Sequence, residues 1–208
     1  MKLVRNWYSP SDAVQVAGGE SASVGISYPN PELSDDVVRL RPWDARDIEC
    51  VREASGDPRI TEATTVPAPF TVGAAREFIA RQAARAELSE GISLVITDLT
   101  ESDRARGLLW LGARPRRGVA GVGFWIVPSA RRRGLATRAV RLGSDWALSS
   151  WGMARLEALV EPGNEASQRT LVAAGFEREG LLRSFLEFAA RRRDALVYAR
   201  VAPEIGAS

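Results

Sequence analysis

A strand, a turn and a helix follow one another between residues 119 and 147, and this succession constrains the fold more than any other part of the chain. Residues 119–127 alternate β-branched and aromatic side chains with smaller ones, which is typical of a strand buried on at least one face, and Pro128 ends it. From Thr137 to Ala147 apolar residues recur at helical spacing. The pattern predicts that the intervening turn lies at the N-terminus of a helix.

The turn has the chemistry of an anion site. Three successive arginines precede Gly134, and Ala136 follows it closely, so a ligand can approach a nearly bare backbone. The first N–H groups of the helix have no partner within it and point at whatever lies over Gly134, where a phosphate is the natural occupant. An ordinary strand-to-helix turn with basic decoration explains the same residues, because neither the P-loop nor the dinucleotide fingerprint is present. The residues expected to contact a phosphate are Arg131, Arg132, Arg133, Gly134, Leu135, Ala136 and Thr137.

Sequence blocks on both sides of the turn point to one family. The turn itself matches the pattern Gln/Arg-x-x-Gly-x-Gly/Ala, which is similar to the acyl-CoA-binding motif of the GNAT superfamily of N-acetyltransferases. Residues 164–167 and 175–180 resemble the Asn-x-x-Ser…Gly-Phe-x-x-Glu-Gly signature of the ribosomal-protein (RimJ/RimL-like) branch, and residues 39–43, Arg-Leu-Arg-Pro-Trp, fit that branch more loosely. The resemblance covers about residues 37–201.

The order of the predicted elements and the resemblance imply the same fold class. We expect a single α/β (α+β) domain with a central mixed, mostly antiparallel, twisted sheet, helices on both faces and a splayed parallel strand pair. A polar turn is predicted at residues 98–106. The predicted strands are 37–40, 92–97, 108–111, 119–127, 156–160, 181–188 and 194–201, and the predicted helices are 45–54, 71–88, 137–149 and 165–174.

Three segments are expected along the chain. Residues 1–36 do not fit the family pattern and are predicted to be an N-terminal extension, either disordered or laid over the domain, with Trp7 and Tyr8 as its apolar anchor. Residues 37–202 form the acetyltransferase domain, and residues 203–208 form a C-terminal tail.

The resemblance implies that acetyl-CoA is the acyl donor and binds where the two parallel strands splay apart. Its pyrophosphate would lie on the amides of residues 132–137 and its thioester carbonyl beside Ile126 and Val127, where an N–H can hold the developing oxyanion. A primary amine would then attack the thioester directly in a ternary complex. Asn164 is the predicted N-cap of the helix at residues 165–174. Asn164 and Ser167 lie one helical turn apart and are expected to face the cofactor, although either can serve only to cap the helix.

The residues for acid and base catalysis depart from the family pattern. Val172 stands where many members carry the tyrosine that protonates the leaving thiolate, which leaves Ser167 as the nearest replacement. Gly121 and Arg138 stand where ribosomal-type relatives carry glutamates. Glu161 and Glu62 are the remaining candidates for a general base, or they are ordinary surface charges.

Three functions are compatible with these residues. The first is an N-acetyltransferase for an amine such as a protein or peptide N-terminus, and the second is one for a small-molecule amine such as an antibiotic. The third is an acyl-CoA-binding module without turnover, which the missing carboxylates and tyrosine suggest. The sequence has no acidic run that would build a pocket for a polycationic drug.

The amino-acid composition limits the metals, nucleic acids and membranes that can be expected as partners of the chain. The chain has no histidine, which removes the commonest general base and most zinc sites, so no metal is expected. Net charge is only +2, and no nucleic-acid partner is expected; the arginine run at residues 191–193 is assigned to a solvated hairpin turn. Cys50, the single cysteine, is expected to be a small core residue. Neither a membrane-length apolar run nor a signal peptide is evident, so a cytoplasmic monomer or homodimer without membrane contact is expected.

Overall fold

The structure, a computed structural model, describes residues 26–188 and 191–203, and this part of the chain forms eight strands and five α-helices. The strands are β1 (Leu33–Ser34), β2 (Val38–Pro42), β3 (Gly91–Asp98), β4 (Arg104–Ala113), β5 (Val119–Ile126), β6 (Arg155–Val160), β7 (Glu177–Phe188) and β8 (Arg191–Val201). The α-helices are α1 (Ile48–Ser55), α2 (Pro58–Ala63), α3 (Val72–Glu87), α4 (Leu135–Ser149) and α5 (Glu165–Ala173). Short 3-10 turns lie at Ala45–Asp47, Leu99–Glu101 and Pro128–Ala130.

The strands form one mixed sheet in the order β1-β2-β3-β4-β5-β6-β8-β7. Among the described strands, β5 and β6 are the parallel pair, and they are in register only from Val119↔Arg155 to Gly121↔Glu157. Because β5 continues to Ile126 and β6 to Val160, the two strands diverge beyond Gly121 and leave a gap, which we call the cleft. The prediction of a splayed parallel pair in a mostly antiparallel sheet is confirmed.

Helices cover both faces of this sheet. Successive side chains of a strand point to opposite faces of the sheet, so Leu108 of β4 lies on one face and Leu109 on the other. Trp125, which pairs with Leu108, packs against Trp43, and the Trp43 ring meets Phe78 of α3 edge-on with centroids 5.5 Å apart. On the other face α4 approaches so closely that a side chain at Gly143 would overlap Leu109. The predicted layers are confirmed, with the core lying on each side of β3 to β5.

Several element boundaries differ from the predicted ones. The predicted polar turn at residues 98–106 is wrong at both ends, because β3 continues to Asp98 and β4 begins at Arg104, where the chain is already packed in the sheet. The last two strands begin earlier than predicted, at Glu177 and Arg191. Helix α2 was not predicted, although Asp57 caps it and Pro58 occupies its first position, because six residues are too few to show helical periodicity.

The described part of the predicted extension packs on the domain. Ile26 is buried, the Tyr28 hydroxyl lies 3.5 Å from the Gln82 carbonyl oxygen of α3, and β1 pairs with the outer edge of β2. Trp7 and Tyr8, the predicted anchor, lie outside the described residues. Within the described ranges, no helix combines the length and apolarity needed to cross a bilayer.

Candidate acyl-CoA site

The loop between β5 and α4, residues 129–134, presents bare backbone at the head of a helix. Gly134 is the N-cap of α4 and has a φ of 77°, in the left-handed region that favours glycine. No atom lies within 4 Å of the position that its Cβ would take. The Arg138 N–H donates to the Gly134 carbonyl, so the N–H groups of the first turn before it have no partner within the helix. The structure therefore brings together the open space and the donors that an anion requires.

Backbone groups of β5 line the cleft on one side. The Val127 N–H donates to the Arg106 carbonyl of β4 at 2.9 Å, so it is not available for a ligand. Neighbouring residues of a strand direct their N–H groups to opposite edges, so the Ile126 N–H points away from β4 and into the cleft. Of the two predicted oxyanion donors, Ile126 alone has the required direction.

The three successive arginines of the loop have different surroundings. Arg131 forms an ion pair with Asp57, and its Nε–H donates to the Ile126 carbonyl at 3.1 Å. Arg133 pairs with Asp98 at 2.6 Å and with Glu101 at 2.8 Å. Arg132 is exposed, has a φ of 64°, and forms no ion pair with any residue in the described part of the chain. Of the three, Arg132 has the guanidinium that is open to an added phosphate.

Arg138, which replaces a glutamate of the family pattern, has a structural partner. Its guanidinium lies 2.8 Å from Asp35 and 2.9 Å from Asp36 in the turn between β1 and β2. The hydrogen bond from Arg138 to Asp35, with the charges of both carboxylates, raises the pKa of the guanidinium. Arg138 therefore attaches the segment before β2 to the first turn of α4.

Asn164 and Ser167 lie at the start of α5. The Asn164 Oδ1 accepts a hydrogen bond from the Ser167 N–H at 3.2 Å, so the predicted cap is confirmed. The Ser167 hydroxyl is half-buried and has no hydrogen-bond partner within residues 26–188 and 191–203. Val172, in the position of the family tyrosine, is 60% exposed. Its aliphatic side chain has no proton to donate to a thiolate.

Both candidate bases interact electrostatically with one arginine, Arg193. Glu161 at the end of β6 accepts from the Arg193 guanidinium of β8 at 2.7 Å. This hydrogen bond raises the pKa of Arg193, and the charge of Glu62 on α2 adds to the effect, which places Glu62 within electrostatic reach of the same side chain. Glu161 directly follows β6, so its ion pair with Arg193 lies at the end of the cleft.

Sequence reasoning missed two acidic residues that hold the loop. Asp57 receives Arg131, while the Glu53 carboxylate accepts from both the N–H and the hydroxyl of Ser129, at 2.8 and 2.9 Å. Burial alone would raise the pKa of Asp57, but the hydrogen bond from the Arg59 N–H and the contact with Arg131 outweigh it and lower that pKa. The adjacent Asp57 and Pro58 were a signal for a helix start, but no local pattern identifies a partner 74 residues away.

Cys50 is a core residue, and the acidic side chains of the described ranges do not cluster as metal ligands do. Cys50 is buried, as predicted, and burial raises the pKa of its thiol, so the nucleophilic thiolate does not form near neutral pH. In the described ranges no three Cys, Asp or Glu side chains cluster in a way that could hold a metal ion.

The family follows from comparison with known proteins. Residues 38–177 match the family model described as the acetyltransferase (GNAT) domain. YoaA of Bacillus subtilis (strain 168), named an uncharacterized N-acetyltransferase, is 29% identical over 175 residues, which cover 83% of this chain and 98% of that protein. The chain therefore belongs to the GNAT acetyltransferase family and is an acyltransferase.

Solved structures share the fold. Mycobacterium smegmatis RimJ, in complex with CoA-disulfide, is 27% identical with a TM-score of 0.70, and the match covers 85% of this chain and 88% of RimJ. The microcin C7 self immunity acetyltransferase MccE, in complex with acetyl-CoA and AMP, has a TM-score of 0.71 at 16% identity, over 80% of this chain and 93% of MccE. The predicted resemblance to the RimJ/RimL-like branch is confirmed by the first of these.

Proposed function

We propose that this acyltransferase uses acetyl-CoA and transfers the acetyl group to a primary amine, with a peptide or protein N-terminal α-amine as the preferred acceptor. The observation that carries the proposal is the cleft between β5 and β6, which ends at the exposed Gly134 and the free N–H groups of α4. Strand-edge groups can hold the amide-rich pantetheine arm, and the helix terminus can hold the pyrophosphate. RimJ and MccE, which share the fold, were solved with CoA-type ligands.

Different residues of the site would contact the pyrophosphate and the thioester of acetyl-CoA. Gly134, Leu135, Ala136 and Thr137 would hold the pyrophosphate through their backbone, and Arg132 would add a positive charge. The Ile126 N–H would stabilise the oxyanion, an interaction commonly worth about 3 kcal/mol of barrier lowering. Arg131 and Arg133 would support the loop through their own carboxylate partners and not contact the phosphates.

The chemical step is direct aminolysis. The neutral amine nitrogen attacks the thioester carbon, the carbon–sulfur bond breaks, and the sulfur leaves as the thiolate of CoA. The amine loses a proton, for which Glu161 is the nearest candidate at the end of the cleft, and the thiolate gains one, for which the Ser167 hydroxyl is the candidate. Asn164 would contact the cofactor with the part of its amide that does not cap α5.

The charges at the end of the cleft beside Glu161, where the amine acceptor would bind, favour an acceptor with a single positive charge. Glu161 and Glu62 would attract an ammonium group, but Arg193 already neutralises one of the two carboxylates. A polycationic drug would need several uncompensated carboxylates, so an N-terminal α-amine fits this end better than such an antibiotic does.

Release of CoA thiol from acetyl-CoA, followed with a thiol reagent, tests the proposal. The acceptors are peptides with a free α-amine, the same peptides with a blocked α-amine and one lysine, and the amines spermidine and kanamycin. We expect release with the first group and little with the second, and mass spectrometry should place the acetyl group on the α-nitrogen. Binding of acetyl-CoA by calorimetry without release for any acceptor would instead identify a module without turnover.

A further inference from the structure

Helix α2 is attached to β5 through a side-chain bridge. Asp57 caps the helix by accepting from the Arg59 N–H at 2.9 Å, and the same carboxylate pairs with Arg131. The Nε–H of Arg131 donates to the Ile126 carbonyl, the last residue of β5. The Arg131 side chain therefore bridges the start of helix α2 and the end of the strand that forms one side of the cleft.

The opposite end of α2 carries a second charged side chain. Glu62, one residue before the end of the helix, interacts electrostatically with Arg193, which is bonded to Glu161 just after β6. This short helix thus has a charged side chain at each end, Asp57 at its N-cap and Glu62 near its C-terminus. We call α2 with its two charged ends the strap.

The Arg131–Asp57 contact is the stronger of the two attachments. The Asp57 side chain is only 9% exposed, so its charge is shielded from water and needs its partner. The Glu53–Ser129 hydrogen bonds join the same loop to the end of α1, which keeps the loop beside the corner between α1 and α2. Two of the guanidinium's donor groups are already taken by Ile126 and Asp57, whereas the neighbouring Arg132 has no such partner among residues 26–188 and 191–203.

We propose that Arg131 and Asp57 are positioning residues that couple occupancy of the loop between β5 and α4 (residues 129–134), which we call the cofactor loop, to the strap. Arg131 thereby positions α2 and does not act as a ligand of the acyl donor. The inference rests on the proposed function only in taking CoA as the ligand of the loop.

Hydrogen exchange of residues 58–63, followed by mass spectrometry with and without CoA, tests the coupling. The variants are Asp57→Asn, Arg131→Gln and the double variant, and asparagine keeps a side-chain oxygen for the helix cap. We expect CoA to slow exchange of the strap in the unmodified chain. Each single variant should speed exchange in the CoA-free protein about 10-fold and remove the slowing by CoA, and the double variant should add little, because both changes break one contact.

Calorimetric titration with CoA distinguishes positioning from direct binding. Because the opened strap stays a minor state, Asp57→Asn and Arg131→Gln should each change the Kd of CoA by less than about threefold. Arg132→Gln is the matched variant in the same loop and should weaken CoA binding by about 10-fold while leaving exchange of the strap unchanged. Arg46→Gln, an exposed arginine before α1, controls for loss of one positive charge.

Two results would overturn the coupling. One is a loss of CoA affinity in Arg131→Gln as large as that in Arg132→Gln, with exchange of residues 58–63 unchanged in Asp57→Asn. The other is an additive effect of the two substitutions on exchange. If the unmodified chain binds no CoA, the proposed function fails separately, and exchange of the CoA-free variants still decides whether Arg131 and Asp57 hold the strap.

Discussion

Replacement of Gly134 by glutamate is the most direct test of the cofactor loop. The residue has a φ of 77°, and a side chain would cost roughly 1–2 kcal/mol in this left-handed conformation. No atom lies within 4 Å of the added Cβ, so no steric cost is expected beyond the backbone strain. For a chain of this size that strain lowers Tm by about 2–8 °C and leaves the protein folded at room temperature.

The effect on the ligand should be much larger than the effect on the fold. A carboxylate at Gly134 would occupy the space above the first turn of α4 and place a negative charge where the pyrophosphate must lie. Two unit charges 4 Å apart repel by about 1 kcal/mol in water and by about 4 kcal/mol at the lower effective dielectric near a protein surface. We therefore expect the Kd of CoA, measured by calorimetry, to rise at least about 10-fold.

Gly152→Glu is a matched control for this experiment. Gly152 follows α4, has a φ of 75°, and also has no atom within 4 Å of an added Cβ. The same strain and the same charge are therefore introduced outside the cofactor loop. The Tm should fall by a similar amount in both variants, whereas the affinity for CoA should fall only in Gly134→Glu. An equal affinity in the two variants would refute the assignment of the loop.

Three further predictions concern other parts of the molecule. Ser167→Ala should lower kcat more than it weakens acetyl-CoA binding if the hydroxyl serves the leaving thiolate; unchanged kcat in steady-state assays would identify Ser167 as a residue of the α5 cap region only. Because the pKa of Asp57 is lower in the folded protein than in the unfolded chain, its ionised carboxylate contributes fully to stability above about pH 5. This contribution is lost as the pH falls through the pKa of aspartate in the unfolded chain and then through the lower pKa of Asp57 in the folded protein. The Tm difference between the unmodified chain and Asp57→Asn should accordingly shrink between pH 6 and pH 3, and a constant difference would contradict the assignment. Removal of residues 1–25 should change the acceptor KM or the oligomeric state while sparing acetyl-CoA affinity, and unchanged kinetics, light-scattering mass and Tm would identify those residues as a passive tail.

The sequence predicted those features that depend on local patterns. Alternation over residues 119–127 and helical spacing after Thr137 established the strand, the turn and the helix, and Asn164 was identified as a cap from its position before α5. The splayed pair required more than local pattern, since it came from the family resemblance. It was confirmed by the three-residue register of β5 with β6.

Contacts between distant residues could not be predicted from the sequence. Arg131, Arg132 and Arg133 were equivalent positive charges beside a phosphate site until the fold placed a carboxylate next to the first and the third. The roles of Arg131 and Arg133 therefore depend on tertiary partners that no spacing rule identifies. Helix α2 was missed for a different reason, because periodicity needs more than six residues to be visible.

The ion pairs around the cofactor loop have a consequence for the protein's own chemistry. Those formed by Arg131, Arg133 and Arg138 use guanidinium groups, which stay protonated at neutral pH and do not act as nucleophiles toward a thioester. Lys2 is the only lysine among the 28 basic residues of the chain. In the proposed reaction the enzyme thus carries an activated acetyl group beside charged contacts that the acetyl group cannot modify. In that reaction Lys2 has the only lysine amine of the sequence that acetylation could modify, and the loop keeps its charge balance however long acetyl-CoA remains bound.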